Sequence, residues 1–333
     1  MSTRKFPHYN QILQRPFYKS GLDIVYKHSV FQIPRNEHNG WPIDFPDLTN
    51  DPNTVYIMHF QDSQNFINGI SLELTAIENY FADLSNRVVV IHEEIDLKEY
   101  YSGPLNLLWF PSFVYEMDYQ MRPYQHRWDH YIDTVATTNW QCLNGIPKVF
   151  RRKTAHYLRD NFHNGILSLG GGEIPLPHHD YDDVYYGKGN DNPQNFCMLD
   201  WVYSDCAINI VTETLYYNRP GIITEKTLFA FLAGQVPIII AHQGFVKECE
   251  KMGFDMFTDI VNTDYDDLPD IQRWRAALES NSELLRTGID RSQVKKRLIQ
   301  NKDHALNHWP QYLIEQYTGE AYQLIENKFK NHI

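Results

Sequence analysis

Strand-like runs that are apolar nearly from end to end alternate in this chain with segments of helical period, and that alternation restricts the fold more than any other feature. Residues 54–60 (TVYIMHF) read as a strand ending in the polar turn QDSQN. The segment SLELTAIENYFADLS follows, with Leu72, Ile77, Tyr80, Phe81 and Leu84 roughly on one helical face, and RVVVIH then reads as a second buried strand. Residues 104–110 (PLNLLWF) supply a third strand and TVATT a fourth candidate. Apolar strands separated by helices are the signature of a parallel sheet covered by helices, so residues 50–140 are expected to form one such sheet.

The second half repeats the alternation. KVFRRKTAHYLRDNF has the pattern of an amphipathic helix, GILSL of a strand with Gly170 to Gly172 behind it, and AINIVTE and VPIIIA of further strands. A helix from Thr224 and another over GFVKECEKM complete the pattern, before a helical tail. No period of twenty to fifty residues recurs, which excludes solenoids and propellers. A chain of 333 residues makes two domains at roughly 100–200 residues each. The expected fold class is therefore α/β, with two Rossmann-like domains facing across a cleft. The domains are residues 1–140 and 141–300, followed by a helical tail over 301–333. Residues 175–196, rich in Pro, Gly, Asn and Asp, form a loop long enough to act as a lid, since most connections run to about 4–6 residues.

Charge narrows the function classes. A formal net charge of −12 disfavours a protein that coats nucleic acid, because phosphate binding needs a basic field or stripe. Basic residues nevertheless concentrate locally: Arg4, Lys5, Arg15, Lys19 and Lys27 lie within the first thirty residues, and PKVFRRKTAHYLR carries five bases. Cys142, Cys197, Cys206 and Cys249 form no CxxC pair and no dense framework, so buried free thiols are expected. No apolar run reaches the ~18 residues of a membrane span, and MSTRKFPHYNQ has no hydrophobic leader segment, so a cytoplasmic location is expected.

In open α/β sheets ligands collect beyond the carboxyl ends of the strands, which in the first half points to Gln61, Asp62, His92, Glu93 and Glu94. In the second half the opening of one helix stands out. Thr224 suits an N-cap; Leu228, Phe231 and Leu232 form a buried face, and Gly234 stops the helix before VPIII. Glu225 and Lys226 then fall in the first turn. A helix N-terminus offers free N–H groups and about half a positive charge, Lys226 adds a full charge aimed at a phosphate, and Glu225 suits the vicinal hydroxyls of a ribose. The plainer alternative is that Glu225 complements the helix dipole and Lys226 is a solvated base.

IITEKTLFAFLAGQVPII resembles the donor-binding signature of the α-1,3-fucosyltransferases. It is closer still to glycosyltransferases encoded by large tailed phages, in which NIVTET precedes the TEK helix and GF..F and YDD stretches follow. Those stretches stand here as residues 209–214, GFDMF at 253–257 and DYDDL at 264–268. The resemblance covers roughly residues 140–286 and fades before them. It implies a GT-B fold, with the donor held by the C-terminal domain through Arg151 (or Arg152), Glu213, Thr224, Glu225, Lys226 and Tyr265. Arg151 is placed by its spacing of seven residues from Leu158; an Arg-Arg-Lys run is otherwise often only a solvated face.

The implied reaction is an inverting, metal-independent glycosyl transfer from a nucleotide sugar, GDP- or UDP-linked, with no further cofactor. Inversion needs a carboxylate to take the acceptor's proton, and the candidates are Glu93, Glu94, Asp62 and, behind them, Glu116. Two solvated glutamates opening a loop are the plain alternative for the first pair. The acceptor is a glycan or, in a phage setting, a hydroxymethylated base of DNA. HHDYDD at residues 178–183 offers a competing metal-site reading of the Asp-x-Asp type, set in a Pro/Asn-rich loop. A non-catalytic sugar- or nucleotide-binding relative of the same fold is the alternative from a different class.

Overall fold

The computed structural model describes residues 7–30, 45–49, 51, 53–61, 72–95, 97–112, 114–115, 122, 128–170, 173–174, 199–214, 216 and 222–329. It is an α/β fold with two separate parallel sheets, each flanked by helices. The chain divides into two compact units: Met1–Glu116 with Asn218–Ile223 and Pro310–Ile333, and Met117–Tyr217 with Thr224–Trp309.

In the first unit, β1 (Asp23–Val30), β2 (Thr54–Gln61), β3 (Val88–His92) and β4 (Asn106–Trp109) lie in that order, and every neighbouring pair is parallel. Helices α1 (Tyr9–Lys19), α2 (Leu72–Phe81) and α3 (Leu97–Tyr100) belong with them. Side chains alternate across a strand, so Tyr56, Met58 and Phe60 of β2 and Val88 and Val90 of β3 share one face and pack with Leu74, Ile77 and Phe81 of α2. Truncating one of these fully buried side chains, such as Ile77→Ala, costs ~2–5 kcal/mol. His59 pairs with Ile91 in the register, and both belong to the opposite face.

Three strand assignments differ from expectation, one of them the second sheet's Thr138–Asn144, whose TNWQCLN has no continuous apolar run to mark it. The chain extends the first sheet with β1, whose DIVYKHSV has no clean hydrophobic period because it is an edge strand of half-exposed residues, Tyr26 and Lys27 among them. TVATT is not a strand: Val135 is 84% exposed, and pairing begins only at Thr138, in the second sheet. The segment before that strand also groups with the second unit, because Trp128 packs edge-on to Phe229 and Arg291 donates to the Tyr131 carbonyl at 2.7 Å. The terminal helix groups with the first unit from Pro310 onward: Tyr317 donates to the Leu13 carbonyl at 2.8 Å and meets Phe110 edge-on.

In the second unit, β5 (Thr138–Asn144), β6 (Gly165–Leu169), β7 (Cys206–Thr212) and β8 (Val236–Ile240) are ordered β6-β5-β7-β8, all parallel. Around them run α4 (Val149–Asn161), α5 (Asp200–Asp205), α6 (Glu225–Leu232), α7 (Phe245–Lys251), α8 (Asp270–Ser280), α9 (Ser282–Thr287) and α10 (Arg291–Asp303), and α11 (Trp309–Leu324) follows. The chain leaves β5 through α4 to place β6 on one side, then returns to place β7 on the other. That reversal sets a switch point beyond the carboxyl ends of β5 and β7, the position where α/β sheets take their ligands.

Three residues of the GQVP run have a structural reason for their identity. Gly234 sits at φ +63, and a Cβ there would fall 2.2 Å from Ile132 Cγ1. The buried Gln235 amide donates to the Cys206 carbonyl at 2.9 Å and accepts from Gln141 and Asn209 at 2.8 and 2.9 Å, which ties the α6–β8 turn to β5 and β7. Pro237 is tolerated because β8 is an edge strand of the described sheet.

Candidate functional site

The switch point of the second sheet is closed by side chains from the two strand ends it separates. At the end of β5, the Cβ that Gly170 lacks would lie 1.7 Å from the Gly145 carbonyl oxygen, so the turns after β5 and β6 run backbone against backbone. Thr212 at the end of β7 donates to the Asn144 side chain at the end of β5. Lys148, the N-cap of α4, reaches across to the Thr214 carbonyl at 2.7 Å. Arg151, in the first turn of α4 and 2% exposed, donates to the carbonyls of Thr212 at 2.9 Å, Glu213 at 3.0 Å and Ile146 at 3.3 Å.

Glu213 is the hub on the other side. Its carboxylate, fully buried, accepts from the hydroxyls of Thr224 and Thr227, each at 2.5 Å, and from the backbone N–H of Thr214 at 3.1 Å and of Thr224 at 3.4 Å. A carboxylate satisfied by that many donors, set at a helix N-terminus, is well compensated for its burial. Thr224 caps α6 as expected, accepting from the Lys226 N–H at 3.4 Å. Lys226 Nζ lies 2.5 Å from Glu225 Oε1, 3.4 Å from Thr224 Oγ1 and 3.5 Å from Thr214 Oγ1; its side chain is 26% exposed and that of Glu225 11%.

Around this switch point three cations (Lys148, Arg151, Lys226) stand with two carboxylates (Glu213, Glu225), leaving a local excess of one positive charge. Lys226 is the most solvent-accessible of the four residues that carry the α6 opening, Glu213, Thr224, Glu225 and Lys226. Arg152 points elsewhere: half-exposed, it forks onto Glu173 at 2.5–3.0 Å. Tyr265 is buried behind β8, where its hydroxyl accepts from the Ile239 N–H at 3.2 Å, and burial pushes its phenol well up so that it stays protonated. Asp266 beside it caps α7, accepting from the N–H groups of Val246 at 3.0 Å and Lys247 at 3.4 Å, and burial raises its carboxyl to about 6. The structure thus brings Arg151, Glu213, Thr224, Glu225 and Lys226 together and leaves Arg152 and Tyr265 on other contacts.

Sequence reasoning did not single out Lys148, Asn144 or Thr227. Their signal lies in position: Asn144 and Lys148 bracket the turn after a strand at the sheet's reversal, which only the strand order reveals. A cavity of about 400 Å³ lies at the other end of the same sheet, lined by Thr138, Ala207, Gly288 and Lys295 among others, away from these residues.

In the first unit, β3 ends at His92 and Glu93 and Glu94 follow it directly, all three buried. Burial and the nearby Lys98 charge hold the His92 imidazole down to about 3, so it is neutral. Glu93 Oε1 accepts from the Ser112 hydroxyl at 2.5 Å, and its carbonyl accepts from Trp109 Nε1 at 3.1 Å. Glu94 is 1% exposed, and its carbonyl accepts from the Leu97 N–H at 3.4 Å. These are not the solvated glutamates of the plain alternative. Asp62, Glu116, the His178–Asp183 stretch and Cys197 lie outside the described residues; Cys142, Cys206 and Cys249 are buried free thiols. Among the described residues no group of three or more His, Cys, Asp or Glu side chains is placed to hold a metal ion, and no helix is long and apolar enough to cross a membrane.

Comparison with family models, with curated proteins and with solved structures returns no match to this chain.

Proposed function

We propose that this protein is a nucleotide-sugar-dependent glycosyltransferase of GT-B type, whose second unit holds the donor and whose first unit supplies the base. The observation that carries the donor half is the cationic switch point: a parallel sheet reverses between β5 and β7, and Lys148, Arg151 and Lys226 gather with the α6 N-terminus at that reversal. In this reading the diphosphate of a GDP- or UDP-linked sugar meets Lys226, and Glu225, released from its ion pair, accepts from the ribose hydroxyls. Arg151 contributes by holding the β7 end and by its charge.

The chemistry needs no group beyond these side chains and the acceptor. The acceptor hydroxyl gives its proton to a carboxylate, Glu93 or Glu94, while its oxygen bonds to the anomeric carbon from the face opposite the phosphate. The bond from that carbon to the phosphate oxygen breaks, and the nucleoside diphosphate leaves with both electrons, its added charge stabilised by Lys226 and helix N–H groups. The acceptor is a glycan or a hydroxymethylated DNA base.

One observation favours the alternative of a non-catalytic nucleotide- or sugar-binding module: the charged groups at the switch point are already engaged with one another and with backbone carbonyls. A screen of nucleotide sugars for thermal stabilisation, followed by assay of donor hydrolysis without acceptor, separates the two. Stabilisation with slow hydrolysis supports the transferase; stabilisation with no turnover supports the binding module; no stabilisation by any nucleotide sugar or nucleoside diphosphate refutes both.

A further inference from the structure

In the first unit a file of hydrogen bonds joins side chains from five places in the sequence. Tyr26 of β1 has its hydroxyl 2.8 Å from both Asn10 Oδ1 of α1 and His59 Nδ1 of β2. His59 Nε2 lies 2.9 Å from the Ser112 hydroxyl in the turn after β4, and that hydroxyl donates to Glu93 Oε1 at the end of β3, at 2.5 Å. His59 and Ser112 are fully buried and Glu93 is 3% exposed. The turn carrying Ser112 is itself fixed, since Phe110 N–H donates to the His92 carbonyl at 2.9 Å and Ser112 N–H to the Phe110 carbonyl at 2.8 Å.

Hydrogen accounting gives the file a direction. Ser112 has one hydroxyl proton and gives it to Glu93, so at 2.9 Å His59 Nε2 is the N–H donor to Ser112. At the far end Tyr26 gives its single hydroxyl proton to Asn10 Oδ1 at 2.8 Å, and its oxygen faces His59 Nδ1 at 2.8 Å. Nothing about packing requires this arrangement. An apolar trio at these positions would avoid desolvating a carboxylate, an imidazole and a hydroxyl, and buried polar groups are weak evidence for stability. What the file does provide is a Glu93 carboxylate held in one orientation by a donor that is itself held.

We propose that Ser112 and His59 are positioning residues for Glu93, and that Glu93 rather than Glu94 is therefore the carboxylate that takes the acceptor's proton. The inference rests on the glycosyltransferase reading. Tyr26 orients the far end of the file, and Ser112 acts through Glu93 without touching substrate.

The test uses the full chain, a nucleotide sugar found by thermal stabilisation and an acceptor that the wild type glycosylates. Misplacing a catalytic group by about 1 Å costs on the order of 10²-fold in turnover, so Ser112→Ala is expected to lower kcat by ~10- to 100-fold. The acceptor KM and the donor's thermal shift should stay at the wild-type values, because the donor is held by the other unit. Ser112→Thr, which keeps the hydroxyl, should recover most of the loss, and His59→Gln, which keeps an N–H donor, should lose less than His59→Ala. In a Glu93→Gln background none of these substitutions should lower the residual rate further. Wild-type kcat in Ser112→Ala, or losses that multiply in the Glu93→Gln background, would overturn the positioning role while leaving the transferase reading intact. Should Ser112→Ala fold poorly, His59→Gln in the two backgrounds decides the same point. A wild type that turns over no nucleotide sugar overturns the reading and this inference with it.

Discussion

Arg151 offers the sharpest test of how the switch point is built. If its guanidinium is the fastener of the β7 end, Arg151→Ala strands the Thr212 and Glu213 carbonyls in a buried site, where they now accept at 2.9 and 3.0 Å. Each buried acceptor left unsatisfied costs about 1–3 kcal/mol, and a water entering the vacated space recovers part of that, so a net loss of ~3 kcal/mol is expected. With a urea m-value of about 3 kcal/mol/M, the unfolding midpoint of the second unit should fall by ~1 M. Because the chain has two units, the readout is amide hydrogen exchange of β5 and β7 across a urea series rather than a single global signal. Arg151→Lys should recover only part of the loss, since one ammonium cannot reproduce the guanidinium fork. An Arg151→Ala protein with unchanged protection of β5 and β7 and a tenfold or greater loss of donor affinity would refute the fastener and make Arg151 a direct diphosphate ligand.

Lys226→Ala should lower turnover by ~10²-fold or more with the fold intact, and Glu225→Ala should weaken donor binding by ~1–3 kcal/mol; steady-state kinetics and calorimetry check the two. Asp266 has its carboxyl raised by burial to about 6 from an ordinary value near 3.8, so the stability it allows is present below pH ~4 and lost as pH rises through about 6. Asp266→Asn should therefore gain on the wild type by up to ~3 kcal/mol between pH 4 and 7, read from urea midpoints at each pH. His92 has the opposite sign: its imidazole is depressed to about 3, so its contribution is present above pH ~6.5 and lost on acidification below it, and His92→Gln should flatten that acid limb. If the acceptor is DNA, replacing Arg4, Lys5, Arg15 and Lys19 with serine should flatten the salt dependence of duplex binding by roughly 0.9 in log–log slope per lost phosphate contact; no retention of plain or hydroxymethylated duplex at low salt retires that acceptor.

Four of the strands legible in the sequence are buried along almost their whole length; β4 and β6 are legible too despite half-exposed positions, whereas the central β5 is not, because Asn139, Gln141 and Asn144 break its apolar run. β2, β3, β7 and β8 are continuous apolar runs because helices cover both sides of a parallel sheet, and their residues are almost all buried. β1 carries Asp23, Tyr26 and Lys27 on an edge of the described sheet, where residues are only half-buried, so its pattern resembles a loop. TVATT misleads for the converse reason: β-branched residues were present, but Val135 faces solvent and nothing is gained by pairing it. Neither the grouping of the last helix with the first unit nor that of residues 128–132 with the second has a local sequence signal, because each depends on a contact partner far along the chain.

Within the candidate site, what was legible is what is local. Thr224 caps α6 through an N–H two residues on, and Gly234 ends it through its own φ, so the helix boundaries follow from neighbouring residue types. Charge was legible too, but a sequence gives only the charge and not whether the fold already engages it. Arg151 was expected on a phosphate, and its donors are engaged by carbonyls 61 and 62 residues away. Glu213 bonds Thr224 and Thr227 across 11 and 14 residues, and His59 meets Ser112 across 53. No periodicity links such positions; they converge because parallel strands bring their carboxyl ends to one edge, whatever the lengths of chain between them. The same geometry explains why both sheets collect their buried acids at that edge. Strand interiors have their backbone groups paired to neighbours, whereas the residue just past a strand end offers free N–H groups and turns that can solvate a carboxylate. A parallel sheet therefore tolerates Glu93 and Glu213 where it would reject them two residues earlier, and moving either acid inward, as in Ile91→Glu or Val211→Glu, should unfold its unit.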